Sequence, residues 1–194
     1  MKLKIASIAL FVAFIALSAF KSKEKTDAYI VDASKSTVTW IGKKITGSHN
    51  GTIMLQSGTL NVNGKNITGG SFVMDMTSIK DADGSAKLEG HLKAEDFFGV
   101  VKFPTSNFVI TKVLGLGANV KVEGNLTIKG ITKPINFPAI ISVNNGVVSA
   151  LAGKIVVDRT KYDIRYGSKS FFDSIGDKAI DDNFELAVKL VAKK

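Results

Sequence analysis

The chain has 194 residues, no cysteine, 26 lysines and arginines against 17 aspartates and glutamates, and a net charge of +9 at neutral pH. Those counts exclude a disulfide scaffold and a thiol nucleophile, and a hydrophobic content of 45% excludes a chain too polar to bury a core. The basic surplus favours anionic partners such as phosphates or acidic lipids, although a solvated basic surface would look the same.

Met1 to Lys4 carry two lysines, Ile5 to Phe20 carry no charge, and Lys21, Lys23, Glu24 and Lys25 restore polarity. This layout predicts a secretory signal over residues 1–19, cut near Ser18 or Ala19, and a single domain over residues 20–194. The apolar run falls short of the ~20 residues of a spanning helix, and no cysteine follows it that could carry a lipid. A periplasmic or secreted protein is expected, and export argues against nucleic acid as a partner.

The mature chain alternates with a period of two. Phe72, Met74 and Met76 oppose Ser71, Asp75 and Thr77; Val120, Val122, Leu126 and Ile128 oppose Lys121, Glu123, Asn125 and Thr127; Phe184, Leu186, Val188 and Leu190 oppose Asn183, Glu185 and Lys189. Such alternation marks strands with one buried face. Weaker strand signals cover roughly 37–46, 51–56, 58–63, 106–113, 133–143 and 147–157. Turn residues at Asn63-Gly64, Gly69-Gly70, Gly115-Leu116-Gly117 and Asn144-Asn145-Gly146 punctuate them. The expected fold is all-β: an antiparallel barrel of about eight strands, closed because closure removes sticky edges.

Two excursions interrupt the pattern. Ser85 is placed to cap a helix over Ala86 to Leu92, with Leu88 and Leu92 on one face, so one or two short helices are expected there. A second irregular stretch, Tyr162 to Asp182, carries Tyr166, Phe171 and Phe172. Long excursions on a barrel tend to form its rim or lid.

An apolar lining of Trp40, Phe72, Met74, Met76, Phe108, Ile110 and Phe137 would suit a flexible chain, but the same residues would equally fill a solid core. Phe97 and Phe98 are adjacent, so one is expected to plug the barrel and the other to face its interior, or both to anchor the helical connection. His49 and His91 are the only histidines, and no spacing around either suggests a metal site; His91 is a candidate for a head-group contact. Arg159 and Arg165, the only arginines, suit a phosphate or carboxylate head group, or ion pairs with Asp158, Asp163 or Asp173. Asp81-Ala82-Asp83-Gly84 starts like a calcium loop, but its sixth position is Ala86 and its twelfth Leu92. Neither a nucleophile elbow nor a dinucleotide loop is present, so neither catalysis nor a cofactor is expected.

Gly90-His91-Leu92-Lys93-Ala94-Glu95-Asp96-Phe97-Phe98, followed by Lys102-Phe103-Pro104, resembles the YceI-like polyisoprenoid-binding family. So do Gly124-Asn125-Leu126-Thr127-Ile128-Lys129-Gly130-Ile131-Thr132-Lys133-Pro134, the opening Val31-Asp32 with Ser36-Thr37-Val38, and the ending Ile175-Gly176-Asp177. The resemblance implies a lipocalin-like barrel that binds an isoprenoid or fatty-chain lipid, is often periplasmic, forms dimers in many members, and is not known for catalysis. It shifts the apolar residues above from core towards lining. The candidate ligand-binding residues on the two excursions are His91, Leu92, Phe97, Phe98, Arg159, Arg165, Tyr166 and Phe171, of which His91 to Phe98 fall within the family-like motif. From Val157 to Phe172 the chain keeps an Asp-Arg-x-x-Tyr start, then departs from the family pattern with a second arginine and several polar residues. A filled barrel acting through its surface, linked to stress or structure, is the alternative.

Overall fold

In a computed structural model, residues 26–115 and 117–194 are described, so the expected signal segment lies outside them. The strands are β1 (Asp27–Val31), β2 (Thr37–Lys44), β3 (Gly47–Asn63), β4 (Asn66–Asp81), β5 (Thr105–Leu114), β6 (Asn119–Ile128), β7 (Ile131–Asn144), β8 (Val147–Asp158) and β9 (Ile180–Lys193). All observed pairings are antiparallel, and a β3–β4 pairing closes the sheet on itself. Nine strands fill eight positions because β1 and β2 share one. β2 pairs with β3 over 47–53 and with β9 over 180–189. Beyond a short 3-10 turn, β1 takes over against 59–62 and 192–193.

The expected barrel is therefore present, with two local corrections. The signals at 51–56 and 58–63 belong to one long strand, β3, whose pairing with β4 is interrupted by bulges near Thr52/Met54, Leu55/Ser57 and Asn61/Val62. Gly69-Gly70 is not a turn but lies inside β4. A Cβ on Gly70 would sit 2.7 Å from the Thr59 carbonyl oxygen, so glycine there permits a close strand approach rather than a reversal.

The helix, α1 (Ala86–Lys93), starts where the cap residue predicts: Ser85 Oγ accepts from the Leu88 N–H at 3.3 Å. Leu92 is buried and Leu88 packs against the core beside it. Chain direction puts the α1 connection, the β2–β3 hairpin, the β6–β7 turn and the β8–β9 excursion at one end of the barrel. At the opposite end Val62, Val148 and Ala192 are fully buried.

The β8–β9 excursion is organised around Arg159, which is only 2% exposed. Its Nε donates to the Asp181 carbonyl, one terminal nitrogen to the carbonyls of Ile164 and Tyr166, and the other to the Ile180 carbonyl, all at 2.8–3.0 Å. The acid nearest to it is Asp182, at 3.6 Å, rather than the Asp158, Asp163 or Asp173 expected as partners. Burial lowers the guanidinium's pKa and the neighbouring acids Asp182, Asp158 and Asp181 oppose that, but an arginine stays charged throughout. Asp182 is itself pushed up by burial, yet hydrogen bonds from Ser168 and Ser170 and the Arg159 charge outweigh this and hold it below its ordinary value.

Arg159→Met would leave four carbonyls and Asp182 without their cation. It should cost about 3 kcal/mol or more, lowering Tm by roughly 6–12 °C for a domain of this size, with faster amide exchange concentrated in residues 160–182. An unchanged melting curve would show that the cluster does not hold the excursion. Acid probes the same contact. A depressed Asp182 stabilises the fold above about pH 4, its unfolded value. Protection of the excursion's amides, taken relative to their intrinsic exchange rates at each pH, should therefore fall only as pH drops below that point.

Candidate functional site: an apolar barrel interior

Inward positions of β2 to β9 enclose a chamber of about 1070 Å³ of atom-free space, part of it at the open mouth. Phe72, Met74 and Met76 from β4, Phe108 and Ile110 from β5, and Phe137 from β7 line it, as the alternation predicts. Ring contacts link Phe108 to Phe72 (6.3 Å between centroids) and to Phe137 (5.6 Å), forming an aromatic wall. Leu126, Leu186 and Val188 complete other sides, and Ser106 is the one polar side chain in the lining. Nothing in the local sequence marks Ser106, which faces inward because β5 pairs it with Met74.

A second chamber, of about 500 Å³, lies towards the α1 end. Trp40, Leu92, Phe97 and Arg159 line it, and Ile53, Phe98 and Phe184 line both chambers. Phe98 and Phe184 meet edge to face at 6.3 Å at this junction, and Phe97 backs Phe98 at 5.1 Å. The adjacent phenylalanines divide: Phe98 reaches the main chamber, while Phe97 is 7% exposed and lines the upper one alone. Trp40 sits in the upper chamber, apart from the other aromatic lining, and its indole N–H is buried with no hydrogen-bond partner.

The head-group candidates spread over different environments. Arg159 reaches the upper chamber with its guanidinium engaged by carbonyls, 5.8 Å from the Phe97 ring. Arg165 is exposed, paired with Asp163 at 2.8 Å and stacked over Phe171 at 4.7 Å. His91 lines neither chamber. Its ring packs on Tyr166 at 4.4 Å and on Phe97 at 5.6 Å, and its Nε2 lies 3.4 Å from Asp96. His91 and Tyr166 therefore join the two excursions into one lid, with Tyr166 and Phe171 about half exposed on its outside.

The α1 end also gathers exposed apolar side chains from separate loops: Ile45 on the β2–β3 hairpin, Val101 after α1, and Phe171 and Phe172 in the β8–β9 excursion. Val101 is 98% exposed. Lys44 and Lys102 adjoin the first two, and Lys169 precedes the third. No helix among the described residues is long and apolar enough to cross a membrane.

Comparisons with known proteins agree with this architecture. Among solved structures, a polyisoprenoid binding domain from Saccharophagus degradans, implicated in plant cell wall breakdown, superposes with a TM-score of 0.65 at 14% identity, over 85% of this chain and 97% of that one. BcnA of Burkholderia cenocepacia gives 0.64 at 18% identity, over 84% and 99%. The Campylobacter jejuni YCEI protein gives 0.56 at 15% identity, over 99% of each chain. At such identities the likeness shows the fold. Curated relatives include a UPF0312 protein of Enterobacter sp. (strain 638) and Protein YceI of Salmonella arizonae, each 39% identical over 54 residues. Those alignments span 28% of this chain and 28% of either relative. The YceI-like domain profile matches residues 29–192, from β1 to the end of β9, and on that match the chain belongs to the YceI-like family.

Proposed function

We propose that this protein is an exported, non-catalytic carrier that holds the tail of a long-chain amphiphile in the main chamber. The ligand would be a polyisoprenoid, an isoprenoid quinone precursor or a fatty-acid derivative, bound for transport, storage or sequestration in the periplasm. The observation that carries the reading is the lining: a chamber whose walls, among the described residues, carry one serine among apolar side chains. Each buried methylene contributes about 0.8 kcal/mol. A five-carbon isoprene unit is then worth on the order of 3–4 kcal/mol before its own ordering cost. A chain of several units needs no polar contact to bind. The void itself counts against a filled barrel working only through its surface, and no cluster of titratable groups lines the main chamber to support an enzyme.

The head group would lie towards the α1 end, where the upper chamber supplies the Trp40 N–H and where the lid is built from two excursions. The same end would meet the donor or acceptor bilayer. Ile45, Val101, Phe171 and Phe172 would enter the interface with lysines beside them at head-group level.

Native mass spectrometry and solvent extraction of the protein purified from the exported fraction should find one prenyl or fatty chain per barrel. Ala139→Phe places a ring in the main chamber without touching the lid. It should weaken binding of a prenyl alcohol by roughly tenfold or more, ~1.4 kcal/mol, with an unchanged circular dichroism spectrum. Binding by this variant at wild-type strength would exclude the barrel as the site. Val101→Ser combined with Phe172→Ser should slow lipid transfer from anionic vesicles several-fold and leave the affinity for a soluble short-chain analogue intact. Equal transfer rates would remove the lid tips from the mechanism.

A further inference from the structure

His49, Asp81 and Asp83 come together where β3 begins and β4 ends, at the α1 end of the barrel. The reason lies in strand register. β3 and β4 pair Gly51 with Asp81, and the Ala82 N–H continues the ladder to the Asn50 carbonyl at 2.9 Å. Beyond Asp81 the chain turns, with the Gly84 N–H donating to the Asp81 carbonyl at 3.1 Å, and this turn carries Asp83 back to the His49 end of β3. In this pairing His49, Gly51 and Asp81 share a face. Gly51 brings no side chain, and a Cβ there would sit 1.8 Å from the Lys80 carbonyl oxygen. β3 and the Lys80 backbone therefore approach closely at this point, which only glycine permits.

The Asp81 side chain is completely buried, and only one of its oxygens is satisfied, by the Ser85 N–H at 3.1 Å. The other oxygen is buried without a hydrogen bond and lies 3.6 Å from His49 Nδ1, which is also buried without one. A buried carboxylate oxygen left in this state is costly unless a cation serves it. At 3.6 Å the contact is too long for a hydrogen bond. It does match the separation of two ligands on one ion, since donors about 2.1 Å from a tetrahedral zinc lie about 3.4 Å apart. A carboxylate oxygen of Asp83 completes a set whose three ligand atoms lie within 4.8 Å of one another. Asp83 is exposed and precedes Gly84, which has a left-handed φ of 73°, so the turn can close the remaining ångström.

We propose that His49 Nδ1, Asp81 and Asp83 bind one divalent metal ion of borderline character, such as zinc, with water in the remaining position. One imidazole and two carboxylates suit zinc or its transition-metal neighbours better than calcium, which takes six to eight oxygens. Because Asp81 also accepts from the N–H of Ser85, the cap residue of α1, the ion would tie the wall of β3 to the base of the lid.

The test uses the mature chain without a histidine tag, stripped with chelator and titrated with zinc, and with cobalt as a coloured probe. One saturable site per chain is expected, with a rise in Tm on zinc addition and a cobalt spectrum showing nitrogen ligation. His49→Gln and Asp83→Asn alter rim positions, so both should fold. Each should weaken zinc by at least about tenfold, the cost of losing even an outer-shell partner, while His91→Gln, which removes the other histidine, leaves the zinc affinity as it is. Calcium should bind much more weakly. The proposal fails if zinc does not saturate, if both variants bind as the wild type does, if His91→Gln abolishes binding, or if calcium binds as well as zinc and is indifferent to His49→Gln.

Discussion

Closure of the sheet is the constraint from which the rest follows. Once β3 pairs with β4 the eight positions have no free edge, and every second side chain of each strand is committed to a shared interior. Those side chains are almost all apolar, so water gains nothing by entering. They are also too few and too small to fill the space: alanines at 139, 150 and 152 stand where larger residues could have closed it. A void lined in this way loses dispersion contacts on every wall, which an apolar guest would restore.

The two ends of the barrel are treated differently. One end is sealed by close-packed residues, Val62, Val148 and Ala192 among them. The other is covered by two excursions that hold each other through rings rather than through ladder bonds, with His91 against Tyr166 and Phe97 near Arg159. Arg159 acts here as an internal scaffold, tying Ile164, Tyr166, Ile180 and Asp181 by their carbonyls. A lid built on side-chain contacts can open without breaking the sheet beneath it. That is the division of labour a carrier needs: a rigid cage and a separable cover.

The sequence was most informative where a local signal carried the geometry. Alternation over 71–77 and 183–190 named the inward residues of β4 and β9, and Ser85 named the start of α1 within a residue. It was least informative where pairing is non-local. β1 has no pattern of its own and exists because β3 and β9 both extend past β2. Gly69-Gly70 looks like a reversal, and only the approach of Thr59 reveals a strand. The site divides in the same way. Phe72, Met74, Met76, Phe108, Ile110 and Phe137 were legible as one wall. The role of Arg159 was not, since its carbonyl partners near it are separated from it by five to twenty-two residues. The meeting of His49 with Asp81 was equally hidden, because their spacing in the chain says nothing and their register across β3 and β4 says everything.

Trp40 is the chain's single tryptophan, and it sits in the upper chamber, beyond the Phe98–Phe184 junction from the main one. Its fluorescence therefore reports directly on whether a chain occupies the barrel and which way it lies. Prenyl chains carrying bromine either beside the head group or at the far end should both bind saturably at one per barrel. The head-proximal bromine should quench Trp40 strongly and the distal one weakly. Absence of saturable quenching from either position would contradict occupancy of the barrel, and stronger quenching from the distal bromine would reverse the assigned orientation.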